Sequence, residues 1–342
     1  MVALTIVAAA CSKAPAPDEV VLYTSSDDFL ARPIVDRFER ETGIKVRMVG
    51  DTEATKTTGL VERLLAERDK PKADVWWSNE MLGTAALARA GLFEPFTPEC
   101  AKDFREGWPA DQADPFGLWY GIALRARVIA FNTNRIEASR APRRLRDLTG
   151  PRYKGLVGMA RPQFGTARSQ MAAIVAADGE AALRAWLTAM KANGVRLYDG
   201  NSSVVRALAL GEIEVGLTDT DDALAGRASG GPVDFVFEAV DEPVGSEAGL
   251  ASRGPLLIPN TVAVLRDRPH AANGLRLADF LLSAAVEEML AASDSRNWPL
   301  RPSAREVVGA SPLPSAFSPP ANLLLEAREK SDAVVREVFG GA

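Results

Sequence analysis

Apolar runs and segments of helical periodicity alternate along the chain from Val20 onward. Short runs rich in β-branched and aromatic residues predict strands, and apolar residues three or four positions apart predict helices. The first part of the pattern predicts strand Val20–Tyr23, helix Phe29–Glu41, strand Ile44–Val49, helix Thr57–Arg68, strand Asp74–Trp77 and helix Met81–Ala90. This alternation is typical of an α/β fold with mostly parallel sheets.

A loop-rich stretch at 95–115 interrupts the pattern, and a long extended run, Tyr120–Asn132, follows it. We interpret that run as a crossing between two lobes. The rest of the pattern predicts strand Gly155–Ala160, a helix beginning at Gly165, helix Glu180–Lys191, strand Val195–Tyr198, helix Val204–Leu210, strand Val215–Leu217, an extended region Leu256–Leu265, helices Ala271–Leu282 and Ala284–Ala292, and a final helix containing Val334 and Val338.

Two α/β sets joined by more than one crossing segment predict two lobes with a cleft between them. We assign residues 20–125 and 252–302 to lobe 1, and residues 126–251 and 303–342 to lobe 2. Because ligands of open α/β sheets bind beyond the carboxyl ends of the strands, the cleft is the expected ligand site.

Three aspartates, Asp219, Asp221 and Asp222, directly follow the strand Val215–Leu217. Carboxylates this close repel one another unless water solvates them or they share a cation, either a metal ion or an ammonium group. The alternative is a solvated turn in which an aspartate caps the next helix. The position of the aspartates after this strand does not distinguish a shared cation from a solvated turn.

Composition and charge narrow the class of partner. The 342 residues are 47% hydrophobic and 25% charged, which is ordinary for a globular protein with two domains. A net charge of −5 without a clustered basic face excludes a nucleic-acid-binding role and favours a small ligand.

The N-terminus has the pattern of an export signal. Val2–Ala10 is wholly apolar but too short to span a bilayer, and it ends at Cys11. Small residues before a cysteine resemble the bacterial lipoprotein signal, so we expect residues 1–11 to be a signal that ends at an acylated Cys11 and residues 12–19 to be a tether. The protein is then extracytoplasmic and meets the membrane only through this lipid. The alternative is a disulfide between Cys11 and Cys100, the only other cysteine.

Residues that support common enzyme chemistry are absent from the sequence. His270 is the only histidine, and no GxSxG, HExxH, GxGxxG or phosphate-loop motif is present. We therefore expect a binding protein rather than an enzyme. A carboxylate-dependent hydrolase remains the enzyme-class alternative, because paired aspartates support acid and base catalysis.

Several motifs occur together in one order: Val21-Leu22-Tyr23-Thr24-Ser25, Phe38-Glu39-Arg40-Glu41-Thr42-Gly43-Ile44, Ala73-Asp74-Val75-Trp76-Trp77, Tyr198-Asp199-Gly200-Asn201-Ser202, Gly211-Glu212-Ile213-Glu214-Val215-Gly216-Leu217-Thr218 and Trp298-Pro299-Leu300-Arg301. With this set the chain resembles the extracellular solute-binding proteins of bacterial ABC importers, in particular their ferric-ion-binding branch. The resemblance implies a two-lobed type II periplasmic binding protein fold, a monomer, and partnership with an ABC permease and its ATPase.

The resemblance also implies positions for a metal site. The ferric branch holds its metal with a histidine after the first strand, a glutamate after the third and two adjacent tyrosines. Asp27, then Asn79 beside Glu80, and then Asp221 with Asp222 stand at those positions here. Carboxylates replace tyrosines, and oxygen-only carboxylate sets are more typical of magnesium, calcium or manganese. The metal candidates are Asp27, Asp221 and Asp222.

The resemblance also implies an anion-binding side of the site. Helix N-termini at Gly165-Thr166 and Asn201-Ser202-Ser203 offer free backbone N–H groups, and Arg125 and Arg127 on the crossing strand are candidate charge-assisted donors. The alternatives are helix capping and a structural salt bridge. One of Trp76 and Trp77 is expected in the core, and the other is a candidate for stacking on a ligand.

These observations predict a binding lipoprotein with no resident cofactor. Its expected cargo is a metal cation with a bound anion, similar to ferric iron. The alternative cargo is a small organic ligand such as an aminophosphonate or an organic cation. Sensing without transport requires only the same fold and is also left open.

Overall fold

The computed structural model describes residues 18–51, 57–104, 106–240, 250–309 and 315–340. Cys11, the signal and most of the tether lie outside these residues, so their predicted roles stay predictions. The strands are β1 (Glu19–Thr24), β2 (Lys45–Gly50), β3 (Val75–Ser78), β4 (Tyr120–Asn132), β5 (Val157–Ala160), β6 (Arg196–Tyr198), β7 (Val215–Asp219), β8 (Val233–Val236) and β9 (Leu257–Val264). The helices are α1 (Asp28–Thr42), α2 (Thr58–Ala66), α3 (Met81–Arg89), α4 (Gly165–Ala192), α5 (Asn201–Ala209), α6 (Thr220–Ala228), α7 (Ala271–Leu281), α8 (Ala284–Ala292), α9 (Pro302–Val308) and α10 (Ala321–Phe339).

The strands form one mixed sheet in the order β2-β1-β3-β9-β4-β7-β5-β6, and β8 also pairs with β4. Strands β1, β2 and β3 are parallel to one another, as are β5, β6 and β7. Both β4 and β9 run antiparallel to their neighbours. The prediction of mostly parallel sheets is therefore wrong for the middle of the sheet, because β4 and β9 pair with each other and cross between the two parallel sets.

Strand β4 joins the two halves of the sheet. Its first half, Tyr120–Ala126, pairs with β9, and its second half, from Arg127 to Asn132, pairs with β7 and β8. The change of partner falls between Arg125 and Arg127, so both guanidinium groups originate where the two lobes meet. The fold is the predicted two-lobed one, and the residue bounds of the lobes stay predictions.

Both faces of the sheet are packed. Trp76 and Trp77 are adjacent on β3, and strand alternation sends their side chains into two different hydrophobic clusters. Both are fully buried. The expectation that one of them faces a ligand is therefore wrong, because helices cover both faces of β3.

Two elements beside the cleft have different bounds from those predicted. Helix α5 begins at Asn201, three residues before the predicted Val204, and β7 extends to Asp219. Helices α4, α5 and α6 thus begin at Gly165, Asn201 and Thr220, each directly beyond a strand or a short loop. None of the helices in the described part of the chain has the length and apolar character that crossing a membrane requires.

Candidate functional site

A small polar cavity of about 30 Å³ lies where these helices begin, and we name it the inner cavity. Its lining includes Asp27 and Asn79 from lobe 1, and Arg125 from the crossing strand. Lobe 2 contributes Gly165, Thr166, Asn201, Asp219 and Asp222. The structure thus brings together seven residues predicted separately from the sequence: Asp27, Asn79, Arg125, Gly165, Thr166, Asn201 and Asp222.

A second, wider cavity of about 400 Å³ adjoins it, and we name it the outer cavity. Asp27 and Asp222 line both cavities, so these two carboxylates stand at the junction. The remaining predicted residues Asp221 and Ser202 line the outer cavity.

Residues at the N-termini of α4 and α5 line the inner cavity. The residues that precede α4 and α5, Phe164 and Gly200, make no side-chain cap to the first turns of these helices. The first backbone N–H groups of a helix have no partner within the helix, and the helix dipole favours negative charge there. Thr166 does not cap α4 either, because its hydroxyl donates to the Asp219 carboxylate over 2.8 Å.

Asp219 is the centre of a buried polar network. Its Oδ1 accepts from Arg127 Nη1 over 2.7 Å, and its Oδ2 accepts from Asn201 Nδ2 over 3.0 Å. Arg127 also donates to Gln170 Oε1 over 3.1 Å. These bonds fix the Asp219 carboxylate through charge-assisted partners. Asp219 ends β7, where its register partner is Arg127, and it directly precedes α6.

Asp221 pairs with the other buried arginine. Arg125 Nη1 lies 2.6 Å from Asp221 Oδ2, and Arg125 Nη2 donates to the backbone carbonyl of Asn79. Burial lowers the pKa of Arg125, but Asp221, Asp219 and Asp222 outweigh it and raise that pKa above its ordinary value. Arg125 is therefore a permanent cation that holds Asn79 of lobe 1 against Asp221 of lobe 2.

The three aspartates still form a compact acidic group. One carboxylate oxygen from each of Asp219, Asp221 and Asp222 lies within 4.8 Å of the other two. With Asp27 there are four carboxylates, and Arg125 and Arg127 supply two positive charges. Arg161 and Asp199, which also line the inner cavity, pair with each other over 3.4 Å.

Glu80 is the predicted residue that the structure does not bring to either cavity. Its carboxylate caps α3, accepting from Leu82 N over 2.6 Å and Gly83 N over 2.8 Å. It also accepts from Ser169 Oγ of lobe 2 over 3.0 Å. Desolvation by burial raises the pKa of Glu80. Its geometry is that of a structural cap that also joins the two lobes.

The sequence interpretation assigned Arg125, Thr166 and Asn201 to an anion and did not pair them with the aspartates. It also did not include Thr220 and Gln170. Thr220 Oγ1 accepts from Ala126 N over 3.1 Å, and Gln170 meets Arg127 from the second turn of α4. Only the alternation along β4, which places Arg125 and Arg127 on the same face of the strand, carried a signal for this network.

Comparison with known proteins agrees with this geometry. The sequence profile of the family described as bacterial extracellular solute-binding protein matches residues 70–320. The chain is 29% identical over 214 residues to the major ferric iron-binding protein of Neisseria meningitidis serogroup A, covering 62% of each protein. It is 31% identical over 206 residues to the Fe(3+)-binding periplasmic protein of Serratia marcescens, covering 60% of this chain and 57% of that one. The alignments therefore span less than two thirds of these relatives.

The fold is shared with solved structures. The ferric binding protein from Campylobacter jejuni superposes with a TM-score of 0.79 at 21% identity, covering 93% of this chain and 99% of that one. At this identity the likeness establishes the fold alone, and the family profile, which matches most of the described chain, establishes the relationship. The chain belongs to the bacterial extracellular solute-binding protein family.

Proposed function

We propose that the protein is the solute-capturing component of a bacterial ABC importer. It binds a solute with a positively charged centre between its lobes and delivers it to the permease, whose ATPase drives transport. It acts as an extracytoplasmic monomer, anchored through a lipid at Cys11, and it catalyses no reaction.

The observation that carries this proposal is the junction of the two cavities. Asp27 precedes α1 in lobe 1, and Asp222 lies in the first turn of α6 in lobe 2, yet both face the same space. A cation between them adds attraction across the cleft, so its binding favours the closed arrangement of the lobes. The N-termini of α4 and α5 supply the matching site for an anionic group.

A metal cation with a bound anion is the first candidate cargo. The ferric iron-binding names of the relatives support it, and Asp27, Asp221 and Asp222 are its proposed ligands. A small organic cation is the second candidate. It is favoured because Asp219 and Asp221 already have buried guanidinium partners, and because no described tyrosine lines either cavity.

The cargo can be identified on protein that begins at residue 12. Native mass spectrometry with elemental analysis should show a bound mass that either contains a metal and an anion or is organic. Protein that carries no solute, and that binds neither ferric citrate nor any amine added to it, contradicts the proposed function.

A further inference from the structure

The outer cavity is built differently from the inner one. It is roughly thirteen times larger by volume, about 400 Å³ against about 30 Å³, and apolar surface from both lobes lines it. Cavities of about 300–1,000 Å³ with apolar walls and a few polar groups are the usual sites of organic ligands. A metal ion with a small anion needs only the inner cavity.

The apolar walls come from one exposed aromatic residue and one closely packed pair of helices. Phe29 is 59% exposed, whereas Leu30 and Ile34 of the same helix are buried. Opposite it, α5 and α6 touch at Gly226, where an added Cβ would lie 2.3 Å from Val205 Cγ1. The two helices therefore form a close floor, and the small side chains of Ala209 and Ala225 leave the space above it open.

Charged side chains of both signs line the outer cavity. Asp27 and Asp222 stand where it meets the inner cavity, and Asp221 lies beside them. Arg206 of α5 also lines the cavity, and its side chain makes no hydrogen bond or ion pair with the described residues. A ligand that is complementary to this lining has a positive group for the carboxylates, a negative group for Arg206 and an apolar body for the walls.

We propose that the cargo is an organic zwitterion, with an amine held at Asp27 and Asp222, an apolar body against Phe29 and the floor of α5 and α6, and an anionic group at Arg206. The proposal rests on the proposed function and specifies its substrate class. Its expected aromatic contact is between Phe29 and the cationic or apolar part of the solute.

The first test fills the outer cavity. Isothermal titration of protein that begins at residue 12 uses three probes: para-aminomethylbenzoate, benzylamine and ferric citrate. Ala225→Phe should weaken para-aminomethylbenzoate by roughly tenfold or more, because the new ring occupies the space of the apolar body. The matched control Ala228→Phe changes an exposed residue of the same helix outside both cavities and should leave affinity unchanged.

The second test removes the positive charge of Arg206 from the lining of the outer cavity. Arg206→Gln should weaken para-aminomethylbenzoate by roughly two- to fivefold, the range for an exposed ion pair, and leave benzylamine unchanged. If circular dichroism shows that Ala225→Phe is misfolded, Ala209→Phe replaces it. Ala209 lines the same cavity from α5 instead of α6.

The outcomes separate this inference from the proposed function. Wild-type protein that binds ferric citrate alone, or zwitterion binding that Ala225→Phe leaves intact, overturns the organic-zwitterion proposal. In either case, the double variant Asp27→Asn with Asp222→Asn is compared with the wild-type protein. If it abolishes the binding of every probe that the wild-type protein binds, the proposed function holds although the zwitterion proposal fails. If no variant changes the binding of any probe, both proposals are wrong.

Discussion

At the residue scale, two buried arginines each hold one of the clustered aspartates: Arg127 pairs with Asp219, and Arg125 pairs with Asp221. Asp219 is fixed by Arg127, Thr166 and Asn201, so it acts as the foundation of the site. The sequence located the acidic cluster but not these pairings, because the partners of Asp219 and Asp221 lie 18 to 96 positions away along the chain and only folding brings them together.

Replacing Asp219 should therefore destabilise the fold. Asp219→Asn leaves Arg127, which is 2% exposed, without its charged partner, and removing one member of a buried pair costs about 3–5 kcal/mol. Urea unfolding measures the loss. The control Asp234→Asn disrupts an exposed pair with Arg227 and should cost less than about 1 kcal/mol. Equal effects of the two substitutions would show that the network does not stabilise the protein.

The raised pKa of Tyr23 predicts that the protein loses stability at alkaline pH. Its hydroxyl donates to Glu67 over 3.0 Å, and burial, followed by that hydrogen bond, raises the pKa of Tyr23 to about 12. The unfolded chain releases this proton near the model-peptide value of about 10. The stabilisation from Tyr23 is therefore complete below pH 10 and is lost as the pH rises through 12. Tyr23→Phe should remove this part of the loss, measured as the free energy of unfolding against pH. Identical alkaline slopes in the two proteins would contradict it.

At the element scale, the sequence predicted most helices and strands around the cleft, because their apolar periodicity reflects burial directly. It was wrong about strand direction, since periodicity does not report whether neighbouring strands run parallel. It also missed β8 and α9, which are short. The sequence nevertheless placed Gly165, Asn201 and Asp222 near helix N-termini, and the structure has them in the first turns of α4, α5 and α6.

The break inside α4 depends on one glycine. Gly179 has φ +84° and ψ 169°, a region that residues with a Cβ avoid, and nothing lies within 4 Å of an added Cβ. Gly179→Ala should lower the free energy of unfolding by about 1–3 kcal/mol through backbone strain alone. Gly50→Ala, which also meets no neighbour and has no positive φ, should be close to neutral in the same thermal or urea experiment. An unchanged stability of Gly179→Ala would show that α4 relaxes into a continuous helix.

At the scale of the whole molecule, the two lobes are already joined by polar contacts that do not involve ligand. Arg125 pairs with Asp221 and also donates to the Asn79 carbonyl, and Ser169 donates to Glu80. Asp27 and Asp222 line both cavities beside these contacts. In the proposed function, solute capture depends on carboxylates from both lobes, so it is a property of the assembled fold and of neither lobe alone.

The most direct measurement of this claim is the amount of solute that the purified protein carries, read by native mass spectrometry. Asp27→Asn with Asp222→Asn should abolish the bound mass, while the matched pair Asp28→Asn with Asp234→Asn, which lies outside both cavities, should retain it. Full occupancy in the first pair, with the same bound mass as the wild-type protein, would contradict the account.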